Sequence, residues 1–205
     1  ESKEEIEKAR YESFNSGIGL MNNRWWSDPV LLGKPVTAYG VFKTHERDMA
    51  EIYQPLDFVG VNVYQPYGVS KRKLDDSQKT SMGWAIDGDV LYWTIRFYSE
   101  RYHLPIIVTE NGMANDDSVG ADGKVHDEKR IAFLRDYLGG VKRAVNEGYD
   151  VLGYQHWSLM DNFEWVEGYG SRFGLIHIDY KTQKRTFKNS AYFYKEVIES
   201  NGEIL

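Results

Sequence analysis

Leu104-Pro-Ile-Ile-Val-Thr-Glu-Asn-Gly112 decides the fold. Its unbroken β-branched run reads as a strand over 104–109 that is buried on both faces, the character of a parallel sheet. The run stops at a carboxylate and a glycine, where a strand opens into a loop. Asp57-Phe-Val-Gly-Val-Asn-Val-Tyr64 and Asp150-Val-Leu-Gly-Tyr-Gln-His-Trp157 have the same build. Between the strands the period changes. Val90, Leu91, Thr94, Ile95 and Tyr98 form one face of a helix over 89–101. Ile131, Leu134, Leu138, Val141 and Val145, at steps of three and four, predict the clearest helix, 127–146. A third helix is expected over 189–198. Strand, loop and helix, three times over, predict βαβ crossovers and a parallel sheet.

The N-terminal stretch reads less regularly. Residues 4–14 suit a helix, a Gly/Pro-punctuated segment runs through Lys34-Pro35, and 44–53 is expected to be helical. Thr44 is the expected N-cap, with Arg47 where a capping-box Glu would stand. No repeat or low-complexity linker divides the chain, so residues 1–205 are expected to be a single partial domain.

Composition excludes several classes. The 205 residues are 41% hydrophobic, enough to bury a core, and the net charge is −6. Nucleic-acid binding needs clustered cations. The one basic cluster, Lys71-Arg72-Lys73, is followed at once by Asp75-Asp76 and reads as a solvated loop. Cysteine is absent, so disulfides and thiolate metal sites are excluded. The five histidines show no metal-ligand spacing, so neither a metal nor another cofactor is expected. No apolar run approaches the ~20 residues that span a bilayer, so no membrane partner is expected. The lack of Cys and of N-x-Ser/Thr sequons points to the cytoplasm. Aromatic residues make up 15%, with six Trp and fifteen Tyr. That content suits either stacking on sugar rings or an aromatic core, and composition does not choose.

The polar residues gather at the strand ends: Asn62 and Tyr64, Glu110 and Asn111, then Trp157. That is the active face of a (β/α)8 barrel, although an open doubly wound sheet obeys a similar rule. Glu110 is a carboxylate that is costly to desolvate unless hydrogen-bonded or functional. A strand-terminal Glu pointing into water explains it equally. Trp157-Ser-Leu-Met-Asp-Asn-Phe-Glu-Trp165 combines two indoles with a carboxylate, as pyranose recognition requires, or forms a Trp-rich rim. Gly168-x-Gly170 follows no predicted strand, which argues against a dinucleotide loop.

Taken together, Arg24-Trp-Trp-Ser-Asp-Pro29, Asp57–Asn62, Met82-Gly-Trp84, Val108-Thr-Glu-Asn-Gly112, Trp157 through Tyr169, Arg172-Phe-Gly-Leu175 and Asp179-Tyr180 resemble glycoside hydrolase family 1 over nearly the whole chain. The resemblance implies an α/β fold, about strands six to eight of a (β/α)8 TIM barrel. It implies retaining hydrolysis of β-glucosides or β-galactosides, with Glu110 as nucleophile and Tyr64 orienting it. Trp157 would lie beneath the sugar, Glu164 would accept from its O4 and O6 hydroxyls, and Trp165 would donate towards O3. Asn62 would line the pocket, Trp84 would wall the aglycone, and Phe173 would give apolar lining. Family members acting on 6-phosphorylated sugars lack the Glu164 carboxylate, so unphosphorylated substrates are expected. Two departures stand out: Val63 where relatives carry an aromatic, and Gln155-His156 where apolar residues are common. His156 is expected to be a satisfied neighbour of the core.

Retaining hydrolysis also needs a carboxylic acid about 5 Å from the nucleophile. In the family it lies in a Thr-Phe-Asn-Glu-Pro-like segment that this sequence lacks. The expected partner is therefore an N-terminal portion of the same barrel, without which the chain would be inactive. The alternative is a non-catalytic sugar-binding or scaffold fragment.

Overall fold

A computed structural model of the chain describes residues 2–15, 22–38, 42–66 and 75–205. The basic cluster Lys71–Lys73 lies outside the described residues. Two compact units emerge, Glu1–Phe58 with Glu100–Leu104, and Val59–Ser99 with Pro105–Leu205.

In the first unit, α1 covers Lys3–Asn15 and α2 covers Asn23–Leu32. Helix α2 lies in the segment expected to be irregular. Its start is fixed by Asn22, whose side chain accepts from Trp25 N at 2.7 Å, and its end by Gly33 at φ 61°. Pro29 inside it masked the helical pattern. Asp28, 1% exposed, is satisfied by Arg24 Nε at 3.1 Å, Arg101 Nη2 at 2.6 Å and Tyr102 Oη at 3.0 Å. Such a buried carboxylate is tolerable only because all these donors converge on it. Strands β1 (Thr37–Ala38) and β2 (Phe42–Lys43) pair antiparallel. Helix α3 is Glu46–Ile52, capped by His45 rather than Thr44. Thr44 Oγ1 instead accepts from Val36 N at 2.9 Å, and Asp48, not Arg47, closes the capping box on His45 N at 2.8 Å.

The second unit is built on a parallel sheet in the order β3 (Val59–Asn62), β4 (Ile106–Asn111), β5 (Val151–His156). Each strand is shorter or shifted relative to the sequence reading, and β4 runs two residues further, so Glu110 and Asn111 are its last strand residues. Val59, Val61, Ile106 and Val108 are buried, while Gly60 and Asn62 alternate with them and are exposed. Helix α4 (Asp89–Tyr102) begins in this unit and buries Leu91, Tyr92, Ile95 and Phe97 rather than Val90 and Thr94. Helix α5 (Glu128–Asn146) follows the expected stripe until Val145, which is 49% exposed. Leu134 and Leu138 of α5 meet Leu175, and Phe193 and Val197 of α6 (Asn189–Glu199). Tyr154 of β5 packs on that cluster. Each fully buried side chain of this size contributes about 1.5–3 kcal/mol. A hairpin of β6 (Ile176–Ile178) and β7 (Arg185–Phe187) was not expected, because three-residue strands carry almost no periodicity. Among the described residues no helix is long and apolar enough to cross a membrane.

Candidate active site

Parallel pairing sets Asn62 opposite Glu110, and Val63 N donates to Glu110 O at 2.9 Å. The register carries the chain two residues past β3 to Tyr64. Its hydroxyl donates to Glu110 Oε2 at 2.7 Å. Burial first, then this hydrogen bond, push the Tyr64 phenol well above its usual value, and the charges of Glu110 and Glu164 add to the effect. Tyr64 is therefore a neutral donor at any ordinary pH, aimed at one carboxylate oxygen.

Aromatic rings fix that donor. Trp84 lies 5.5 Å from the Tyr64 ring and Phe173 6.2 Å, both edge-on, and Trp84 and Phe173 are 6.0 Å apart. Trp84 is presented by a turn in which Thr80 N donates to Trp84 O at 2.8 Å. On the other side, Asn62 Oδ1 accepts from Thr109 Oγ1 at 2.7 Å. Asn62, Tyr64, Trp84, Glu110 and Phe173 are thus brought together.

The remaining predicted residues belong to the loop that leaves β5. Trp157 N donates to Asn111 O at 2.8 Å, and the Trp157–Ser158 peptide bond is cis. Gly112 permits this junction. A Cβ there would lie 1.7 Å from Trp157 O, so close approach of the two backbones requires the glycine. The loop returns with Ser158 N donating to Phe173 O at 3.2 Å and Leu175 N to Ser158 O at 3.0 Å. At its tip Glu164 N donates to Gly168 O at 2.7 Å. Trp165 has φ 42° and is 81% exposed. Glu164 reaches Tyr64 through its charge. Among the described residues no hydrogen bond or ring contact joins Trp157 or Trp165 side chains to Glu110.

Two sets of residues escaped the sequence reading. One is Tyr154, hydrogen-bonded beside the glutamate to Asn111, which the sequence showed only as a polar strand end. The other is a buried ionic lattice that ties the loop after β4 to the loop after β5. Arg130, 0% exposed, bonds Asp117, the carbonyl of Met113, Asp127 at 3.1 Å and Arg172 O at 3.0 Å. Lys188 bridges Asp117 and Asp161, the latter at 2.9 Å. Asp161 also accepts from Arg172 at 2.6 Å and Gly174 N at 2.9 Å. These members lie far apart in sequence, so no local pattern announced them. His156 also departs from expectation: its Nε2 is buried with no hydrogen-bond partner of ordinary geometry, only the Phe173 carbonyl nearby. Among the described residues no group of three or more His, Asp or Glu is placed to hold a metal.

The pattern of glycosyl hydrolase family 1 matches residues 3–203. The chain belongs to glycosyl hydrolase family 1. Within it, the chain is 39% identical to a β-glucosidase A of Thermotoga maritima, over 98% of this chain and 48% of the relative. A bifunctional β-D-glucosidase/β-D-fucosidase of Bifidobacterium breve is 38% identical over 90% of this chain and 48% of its own length. Among solved structures, the Thermotoga maritima β-glucosidase in complex with glucoimidazole superimposes with a TM-score of 0.81 at 37% identity, over 98% of this chain and 48% of that one. The chain thus spans about half the length of the family 1 relatives it matches. Its fold is α/β, the C-terminal part of the family's (β/α)8 barrel, and the barrel is not closed.

Proposed function

We propose that this chain supplies the nucleophile and the sugar-binding face of a retaining β-glycosidase of the β-glucosidase type, acting on unphosphorylated substrates. The hydrogen bond from Tyr64 Oη to Glu110 Oε2 carries the reading. It leaves Glu110 Oε1 free to attack and holds the carboxylate against rotation. Attack on the anomeric carbon forms a glycosyl ester as the bond to the aglycone oxygen breaks. Water then hydrolyses the ester, with net retention. Trp157 offers the sugar a stacking face, Glu164 accepts from its O4 and O6 hydroxyls, and Trp165 donates towards O3. Asn62 lines the pocket, and Trp84 and Phe173 form its apolar wall. The Glu164 carboxylate disfavours a 6-phosphate by like-charge repulsion.

The acid that protonates the aglycone comes, in this reading, from an N-terminal portion of the barrel, about 5 Å from the nucleophile. This chain alone would be inactive on substrates with poor leaving groups. The lack of cysteines and sequons supports a cytoplasmic setting.

The test is trapping with a 2-deoxy-2-fluoro-β-glucoside carrying a dinitrophenolate leaving group, which departs without acid assistance. It is applied to the chain together with whatever barrel-completing segment co-purifies, followed by peptide mapping. Label on Glu110 is expected. A folded sample left unlabelled would overturn the reading in favour of a sugar-binding fragment.

A further inference from the structure

Behind Glu110 and Tyr64 lies a hydrogen-bonded tie that crosses all three parallel strands. Asn111, 0% exposed, is the residue after the glutamate. Its Nδ2 donates to Val63 O at 2.7 Å, and its Oδ1 accepts from Tyr154 Oη at 2.7 Å. A carbonyl on one side and a hydroxyl on the other fix the amide's orientation. The Asn111 carbonyl in turn accepts from Trp157 N at 2.8 Å and from Tyr154 Oη at 3.3 Å. Tyr154 Oη also lies 3.5 Å from His156 Nδ1, and Tyr154 O accepts from Tyr194 of α6 at 3.3 Å.

The partners of Asn111 are the immediate neighbours of the residues at issue. Val63 precedes Tyr64, and Val63 N is already bonded to Glu110 O at 2.9 Å. Val63 is therefore bonded through its N–H to Glu110 and through its carbonyl, in the peptide that carries Tyr64, to Asn111. Two bonds at adjacent positions remove the rotation that a single one would leave. Of the three register shifts in the pairings of β4, the one after Val61 of β3 and the one between Val108 and Asn111 against β5 fall at this level, and the third lies at Ile106–Ile107. Ordinary ladder bonds are interrupted here, and a side chain takes their place.

We propose that Asn111, held by Tyr154, is a positioning residue that sets the placement of Tyr64 and Trp157 relative to Glu110. It touches neither sugar nor reacting atoms. This rests on Glu110 being the nucleophile, as proposed above. In this neutral buried chain both polar atoms of the Asn111 side chain have a partner, so it holds one geometry, and near-attack placement is sensitive to small displacements.

The test is the kinetics of the same 2-fluoro-glucoside trapping, split into the binding constant Ki and the inactivation rate constant ki. Tyr154→Phe removes only the hydroxyl. It is expected to lower ki about tenfold with Ki unchanged and the label still on Glu110, the mark of a group that acts on the transition state through positioning. Tyr194→Phe removes a neighbouring hydroxyl of the same core without touching Asn111 and is expected to keep the wild-type ki. Asn111→Asp is nearly isosteric, keeps an acceptor for Tyr154 and replaces the donor to Val63 O with an oxygen. It should lose at least as much ki, and it stands in if Tyr154→Phe does not fold. A wild-type ki in a folded Tyr154→Phe or Asn111→Asp would overturn the proposal, as would an equal loss in Tyr194→Phe. An unlabelled wild type would overturn the assignment of Glu110 itself, and the positioning role with it.

Discussion

His156 shows what burial beside fixed positive charges does to one imidazole. Burial first, then the charge of Arg130, push its imidazole down to about 3, with Lys188 adding and the Phe173 carbonyl opposing. The unfolded chain takes up a proton as the pH falls below the ordinary 6.5, whereas the folded chain does not until about 3. The contribution to stability is thus fully present above 6.5 and is lost as the pH falls towards 3. The slope is about 1.4 kcal/mol per pH unit while only the unfolded state is protonated. His177, lowered by burial and then by Arg172, acts in the same direction. Urea midpoints at pH 7, 5 and 4 should therefore fall less steeply in His156→Phe than in the parent, with the His177 share remaining. Identical slopes would refute the assignment. The sequence placed His156 beside the core but not its unsatisfied Nε2, because the atoms packed around it come from Phe173 and α6, far along the chain. From residue pattern alone Glu110 and Tyr64 were legible only as two polar strand ends, and their pairing came from the family resemblance. Their 2.7 Å bond depends on a register that no single strand encodes.

At the scale of elements, the junctions between strands and loops are more constrained than the strands. At Gly112 a methyl group would sit 1.7 Å from the Trp157 carbonyl, and neither strand can move without breaking the ladder. Gly112→Ala is expected to destabilise the fold by about 3 kcal/mol or more, overpacking against backbone rather than against a flexible side chain. Thermal melting of the purified variant measures it, and an unchanged midpoint would contradict the geometry. The ionic lattice holds the next layer. Burial alone would raise the Asp117 carboxyl, but the charges of Arg130 and Lys188 outweigh it and hold it below the usual range. Arg130→Met leaves Asp127 and part of Asp117 buried without their cation, so a loss of about 3–5 kcal/mol in urea unfolding is expected. A loss below about 1 kcal/mol would mean that water replaces the guanidinium. Elements with strong periodicity, α5 and the three parallel strands, were readable to within two or three residues. Helix α2 was hidden by Pro29, and the cap of α3 was misassigned because Thr44 is drawn off by Val36 N. Where a side chain chooses among several backbone donors, local sequence does not say which one wins.

For the second unit as a whole, the parallel sheet is open at both ends. Strands β3 and β5 have no strand partner on their outer edges among the described residues. Asn62 and Gln155 are exposed on the strands, and Leu152 of β5 is 56% exposed. Beyond β5, Leu159, Phe163, Trp165 and Val166 are 61% to 97% exposed. Unpaired edges beside exposed apolar side chains favour association. This is the surface that an N-terminal portion of the barrel would cover in the proposed function. The sequence analysis expects such a portion from the missing acid segment, and the relatives are about twice as long as this chain. The prediction is that the isolated chain self-associates in a concentration-dependent way by sedimentation velocity and binds an apolar dye. Supplying the N-terminal portion in trans should yield a single species with one chain of each and abolish dye binding. Charge on the edge separates this from general stickiness. Leu152→Lys should suppress self-association of the isolated chain, because a cation at an open edge opposes strand addition. A monomeric isolated chain that unfolds cooperatively and binds no dye would show that the sheet needs no complement, and the proposal of a barrel-completing partner would fall.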